Sequence, residues 1–147
     1  MEKQRTIGEG VASIAIRHIG KQEIRGNQGF KDEAYQRRIK ETGWKKGESW
    51  CVYACEADWK EAHPDEVFDL LDELFSANAV RTWENFWNHP DFITSDTPVV
   101  GAMAIYKKVK DGDASFVNDT EWIRGHACTV IGYNKDCLLY TSPSPRD

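Results

Sequence analysis

Cys51 and His126 are the two residues whose types and spacing could carry out covalent chemistry. Cys51 stands in the stretch GESWCVYACEADWKEA, after a Gly/Ser turn and at the predicted first turn of a helix. The unpaired N–H groups and partial positive charge of a helix N-terminus favour a thiolate, and a nearby imidazole can accept the thiol proton. His126 opens a predicted strand 75 residues further along the chain, so the two side chains must meet in space. This pattern predicts a Cys–His dyad; the alternative is that Cys51 is a small buried hydrophobic residue.

The cysteine content allows two other arrangements. The chain contains Cys51, Cys55, Cys128 and Cys137, which would suffice for two disulfides. The N-terminal sequence MEKQRTIGEG lacks the apolar segment of a secretory signal, so disulfides are not expected. A zinc-stabilised module could use Cys51, Cys55, His126 and Cys128, although this spacing matches no common structural zinc site. We therefore expect no metal or organic cofactor and keep the zinc module as an alternative.

Composition and charge limit the classes of partner. The chain has 147 residues, 40% of them hydrophobic and 29% charged, with a net charge of -5 and a mean hydropathy of -0.63. This length favours a single domain. The negative charge argues against nucleic acid as a partner, and no apolar run reaches the roughly 20 residues of a membrane span. We expect a monomer that is made in the cytoplasm without a signal peptide and does not insert into a membrane.

The elements that must position the dyad are predicted as helices first and strands afterwards. Apolar residues at helical spacing predict helices over residues 6–19, 31–40, 51–62, 65–75 and 80–87. Ser49 is expected to cap the helix that begins at Cys51, and Asp65 the next one. After Pro98, the segments VVGAMAIYKKV and HACTVIGY predict strands. This order favours an α+β fold, with the helices packed on a small antiparallel sheet.

The C-terminal sequence CLLYTSPSPRD does not match a strand that would complete this sheet. It contains two prolines and no apolar alternation in its second half, and proline cannot continue a central strand. These residues also resemble a translated adapter sequence at the end of a metagenomic reading frame. We therefore expect one domain over residues 1–136 and a non-native or disordered tail over residues 137–147, which would leave the sheet incomplete.

Four segments resemble the CHAP and NlpC-type cysteine peptidases, in the order found in those families. SWCVYACEADWKEA is similar to their WCxxFV element, TPVVGAMAIYKK to their PGDIVVF strand, and GHACTVIGY to their GHVGIV strand. HIGKQEIRGNQGF resembles the GVREIxGxNxGF segment of phage and bacterial members. The resemblance extends over roughly residues 11 to 135. It implies a papain-like α+β fold and hydrolysis of amide bonds in bacterial peptidoglycan, as in phage endolysins.

The resemblance also implies roles for individual residues. Carried over by position, Cys51 is the nucleophile and His126 the general base, and the Cys51 backbone N–H is a candidate oxyanion donor. Trp50 matches the aromatic residue that precedes the nucleophile. Trp44 and Trp122, in predicted loops on either side of the dyad, are with Trp50 our candidates for substrate binding.

The chain departs from the family pattern in three ways, one of which is Cys128 at a place where a small or apolar residue is usual. Gly101 is followed by Ala102, where the PGD element has an acidic residue. The polar residue that orients the histidine lies on the next strand in these families, which here falls within residues 137–147. Losing the orienting group of a serine triad costs about 10⁴ in rate, so we expect impaired activity. A non-catalytic phage structural or binding protein on the same fold is the further alternative.

Overall fold

The computed structural model of the chain describes residues 6–107, 125–134 and 137–141. Its α-helices are α1 (Ile7–Arg17), α2 (Glu33–Lys40), α3 (Cys51–Ala62), α4 (Phe68–Leu74) and α5 (Ala79–Trp87). Its strands are β1 (Glu23–Ile24), β2 (Gly29–Phe30), β3 (Met103–Lys107), β4 (Gly125–Asn134) and β5 (Cys137–Thr141). The five helices and two small antiparallel sheets of this described part confirm the α+β class.

Helix α3 is the central helix of the fold. Seven of its first eight residues, from Cys51 to Asp58, are buried, so the helix is covered on nearly every side. The predicted start at Cys51 is confirmed, but the expected cap is wrong: the capping position is Trp50, whose side chain makes no cap hydrogen bond. The helix ends at His63, which takes an extended conformation because Pro64 follows it.

Helices α1 and α2 pack beside α3. Thr6 caps α1 by accepting a hydrogen bond from the Glu9 N–H, and Asp32 caps α2 through the Tyr35 N–H. The buried face of α1 contacts both α3 and β4. Helix α1 therefore bridges the central helix and the sheet.

Helices α4 and α5 complete the helical layer. Asp65 does not cap α4, contrary to expectation, because residues Asp65–Val67 form a short 3₁₀ turn before it. Asn78 caps α5 by accepting from the Arg81 N–H. Helix α5 then packs against β3 with its apolar face. Among the described residues, no helix has both the length and the apolar character needed to cross a bilayer.

The main sheet has the antiparallel order β3-β4-β5 in the part of the chain that the structure describes. Residues in register include Tyr106 opposite His126 and Met103 opposite Thr129. The predicted strands β3 and β4 are confirmed. Residues Cys137–Thr141, expected to begin a tail, pair with β4 as an edge strand. This pairing is possible because both prolines lie beyond Thr141, so that the N–H groups of β5 remain available.

The β1–β2 hairpin is a smaller sheet that the sequence did not predict. Its turn has positive φ angles at Gly26 (78°) and Asn27 (59°), two residue types that tolerate this conformation. Strands of two residues are too short to produce a periodic pattern, so the hairpin itself was missed.

Candidate functional site

Cys51 lies at the N-terminal end of α3, where the helix leaves backbone N–H groups without intrahelical acceptors. The first hydrogen bond of the helix runs from the Ala54 N–H to the Trp50 carbonyl, so the N–H groups of Cys51, Val52 and Tyr53 have no partner within the helix. These groups carry a partial positive charge. The Cys51 side chain is 4% exposed, and its sulfur lies 3.9 Å from the Ser49 hydroxyl oxygen.

The turn that leads into Cys51 is held from two sides by indole rings. The Trp50 ring packs edge-on against Phe30 at 5.2 Å, and its N–H donates to the Glu23 carboxylate. The Trp44 N–H donates to the Glu48 carbonyl at 2.7 Å. Both contacts join the turn to the core, so the first residue of α3 has a fixed position.

The burial of these two indoles bears on the predicted substrate contacts. Trp44 is 2% exposed and Trp50 is 1% exposed, so neither ring offers a face to solvent. This burial is inconsistent with direct contact to a substrate. It is consistent with a packing role beneath Cys51. Trp122, the third predicted substrate residue, lies outside the described residues.

His126 is the second residue of β4, the strand that packs against α3. Ala127 belongs to the same core cluster as Cys51, and the Thr129 hydroxyl lies 3.8 Å from the Cys55 sulfur. The strand of the histidine and the helix of the cysteine are therefore in direct contact. Alternation along β4 assigns Ala127 and Thr129 to the α3 side and the partly exposed His126 to the opposite face of the strand. The pairing of the Cys51 thiol with the His126 imidazole stays a prediction.

Cys55 and Cys128 are buried thiols next to the candidate nucleophile. Burial raises the pKa of Cys55 well above its usual range. Burial, with the nearby Cys51 adding to it, raises the pKa of Cys128 to about 12. Both groups therefore stay neutral near pH 7 and act as packing residues. Within the described residues, no three His, Cys, Asp or Glu side chains are placed to hold a metal ion, so the zinc alternative gains no support there.

A buried ionic cluster lies towards the other end of α3, and the sequence did not predict it. The Asp58 carboxylate lies 3.1 Å from the Arg38 guanidinium and accepts from the Thr129 hydroxyl at 3.5 Å. Arg38 also pairs with Glu61 at 2.8 Å, and Glu61 pairs with Arg17 at 2.8 Å. The cluster thus joins α1, α2, α3 and β4.

Burial controls the protonation of this cluster. Burial raises the pKa of Asp58 to about 6, although Arg38 opposes the shift. Burial, with Arg38 and Arg17 adding to it, lowers the pKa of His18 to about 4. His18 is therefore neutral near pH 7, with its ring 4.9 Å from that of Tyr35.

A groove of about 540 Å³ opens between α5, β3 and the segment 93–99. Aromatic rings form its wall, with Trp59, Trp83, Phe86 and Phe92 among the lining residues. The predicted helix over residues 80–87 gave no indication of this groove. The spacing of its aromatic residues could have suggested an apolar face, but the groove also needs β3, which is distant in sequence.

The comparisons with known proteins found no family model, no curated protein and no solved structure that matches the chain. The residues and geometry of the chain are therefore the basis for any functional assignment.

Proposed function

We propose that the chain is a papain-like cysteine hydrolase that cleaves amide bonds in bacterial peptidoglycan. The observation that carries this proposal is the position of Cys51. It is the first residue of a buried central helix, and that helix packs directly on the strand that contains His126. A reactive thiol at a helix N-terminus with an imidazole on a neighbouring strand is the arrangement that thiol acylation needs.

The proposed reaction has two steps. The Cys51 thiolate attacks the amide carbon, and the carbon–nitrogen bond breaks as the His126 imidazolium gives its proton to the leaving amine. A water molecule then attacks the thioester and passes a proton to His126; the carbon–sulfur bond breaks, which releases the acid and restores the Cys51 thiolate and the His126 imidazolium. Backbone N–H groups at the start of α3 stabilise the oxyanion in both steps.

Peptidoglycan is proposed as the substrate because of the resemblance of four segments to CHAP and NlpC-type peptidases. In this role the chain would act on the wall after release from the cell that makes it. The cleaved bond is either the amide between sugar and peptide or an amide within a peptide crosslink. The residues that contact the substrate determine which of the two is cleaved. The groove beside β3 is large enough to hold part of such a substrate.

The second candidate is a non-catalytic binding protein on the same fold. The near-complete burial of the Cys51 side chain favours this candidate, because a nucleophile must reach its substrate. Under the hydrolase proposal, the residues that cover Cys51 have to give the substrate access to its sulfur. The two candidates therefore predict different consequences of removing the Cys51 thiol.

The test is release of dye from labelled peptidoglycan by the wild-type chain, Cys51→Ala and the matched control Cys128→Ala. We expect Cys51→Ala to lose activity by about 10³-fold or more, because the nucleophile is gone, and Cys128→Ala to keep it within about threefold. Because we expect weak wild-type activity, alkylation of Cys51 by iodoacetamide at pH 6 gives a second readout. His126→Ala should slow that alkylation.

Two results would overturn the hydrolase proposal. One is hydrolysis of peptidoglycan by Cys51→Ala at the wild-type rate. The other is an alkylation rate of Cys51 that does not change in His126→Ala while the variant keeps its fold. If Cys51→Ala instead retains binding to intact peptidoglycan and the wild type releases no dye, the binding protein is the better description.

A further inference from the structure

The groove beside β3 runs along the edge of the sheet. Its lining includes every residue from Ala102 to Tyr106. Alternate side chains of a strand point to opposite faces, so consecutive residues can line one groove only where the groove follows the strand edge. In the described part of the chain, β3 pairs with β4 on one side and stands at the border of the sheet on the other.

An edge strand offers hydrogen-bonding groups to an added chain. In an antiparallel pair, alternate residues direct their N–H and C=O groups away from the partner strand. Because all residues from Ala102 to Tyr106 line the groove, we expect those groups of β3 to face it. Residues Ile93–Val99 form the opposite bank without regular secondary structure, so the space between the banks is elongated. This shape suits a peptide in extended conformation.

The floor and wall of the groove are apolar and well packed. Phe86 lies 5.4 Å from Trp59 and 4.9 Å from Phe92, measured between ring centroids, and both contacts are edge-on. Trp83 is 42% exposed at the rim. Such rings present large contact area with little conformational freedom to lose on binding. Alternate side chains of an added strand would pack on this wall.

The charge of the groove indicates which kind of peptide it would bind. Among the residues that line the groove, Asp96 is the one charged side chain, and it lies on the exposed bank. The whole chain has a net charge of -5. A cationic side chain is therefore complementary to the groove, and an acidic one is repelled.

We infer that this groove binds an extended peptide, which adds to β3 as a further strand and places a cationic side chain near Asp96. The inference does not depend on Cys51 being catalytic. The main-chain hydrogen bonds to β3 give affinity, the aromatic wall selects apolar side chains, and Asp96 selects the charge.

The experiment uses labelled seven-residue peptides in which valine and threonine alternate, with one lysine at each inner position in turn. Fluorescence anisotropy with the full chain, as wild type and as Cys51→Ala, gives the dissociation constants. We expect saturable binding below about 1 mM by at least one peptide, and equal affinity for both chains. Methylation of two backbone nitrogens on the groove-facing edge should weaken binding about tenfold or more.

Matched variants locate the peptide on the protein. Trp83→Ala should weaken binding about tenfold, because Trp83 lines the groove. Trp87→Ala is the control, since Trp87 is 60% exposed and stacks on Trp83 without lining the groove. Asp96→Asn should weaken binding of the lysine peptide about threefold and leave an uncharged analogue unaffected. Circular dichroism confirms that each variant is folded.

Three outcomes would overturn the inference. One is failure of the whole peptide set to bind. Another is equal binding by the methylated peptides, which would exclude strand addition. The third is dimerisation that Trp83→Ala abolishes and the peptides do not disturb, which would assign the edge to a second copy of the chain. Cys51→Ala removes the proposed nucleophile, which does not line the groove. Loss of hydrolysis and loss of peptide binding can therefore be distinguished.

Discussion

The two ends of helix α3 differ in what holds them. The N-terminal end, at Cys51, is held by buried indoles and a few hydrogen bonds, and its own backbone supplies the positive potential. Towards the other end, Asp58 is held by an ion pair with Arg38 of α2, which also pairs with Glu61. The first arrangement suits a reactive group and the second fixes the direction of the helix. Substitutions at the two ends should therefore affect different measurements.

Removing Arg38 should have the largest effect on stability. Arg38→Ala leaves Asp58 buried without its cation, and breaking a buried pair in this way costs about 3 kcal/mol or more. Urea denaturation measures the change in the free energy of unfolding. Arg37→Ala is the control, because Arg37 is an exposed neighbour on the same helix. Equal stabilities of the two variants would show that the charged cluster does not hold α3.

Asp58 should also govern part of the pH dependence of stability. Its pKa is about 6 in the folded chain and 3.8 as a free group, so the folded state binds this proton more tightly. The associated stability is present below about pH 4 and is lost as the pH rises through 6. Relative to wild type, Asp58→Asn should therefore gain about 2 kcal/mol between pH 4 and pH 6.5. A constant difference across this range would contradict the burial of an ionisable group there.

His18 should show the opposite trend. Its pKa falls from 6.5 to about 4 on folding, so its contribution to stability is present above pH 6.5 and is lost as the pH falls towards 4. His18→Gln should therefore become more stable relative to wild type as the medium is acidified. Denaturation curves at several pH values measure this difference. A profile parallel to that of wild type would mean that the imidazole is solvated in the folded chain.

Trp50→Phe examines the thiol end of α3. The change keeps an aromatic ring in the core but removes the N–H that donates to Glu23, at a cost of about 1 kcal/mol. If the chain is the hydrolase proposed above, the rate of peptidoglycan hydrolysis should fall by more than the roughly fivefold that 1 kcal/mol represents, since the indole fixes the residue before Cys51. Activity that follows stability alone would indicate that Trp50 serves packing only.

The smallest effect is expected at the surface pair of Arg17 and Glu61. Both side chains are largely exposed, so Arg17→Ala should cost about 0.5 kcal/mol or less. The loss should shrink further in high salt, which screens exposed charges. A cost comparable to that of Arg38→Ala would place Arg17 within the buried cluster instead of at its border.

Local patterns explain which parts of this fold could be predicted from sequence. Apolar spacing indicated the five helices, and the Gly/Ser turn indicated that α3 begins at Cys51. The caps at Ser49 and Asp65 were wrong, because a cap depends on the path of the chain before the helix. Strand β5 was missed because its pairing partner β4, more than its own sequence, provides its stability.

The amino-acid order alone specified the five helices and strands β3 and β4, and it placed the thiol at a helix start, because these features depend on neighbours within a few residues. The burial of Asp58, the contact of β4 with α3, and the groove along β3 arise only when distant segments pack together. Desolvation and cavity shape depend on that packing. Asp58 therefore becomes part of a buried ion pair only when α2 and β4 cover it.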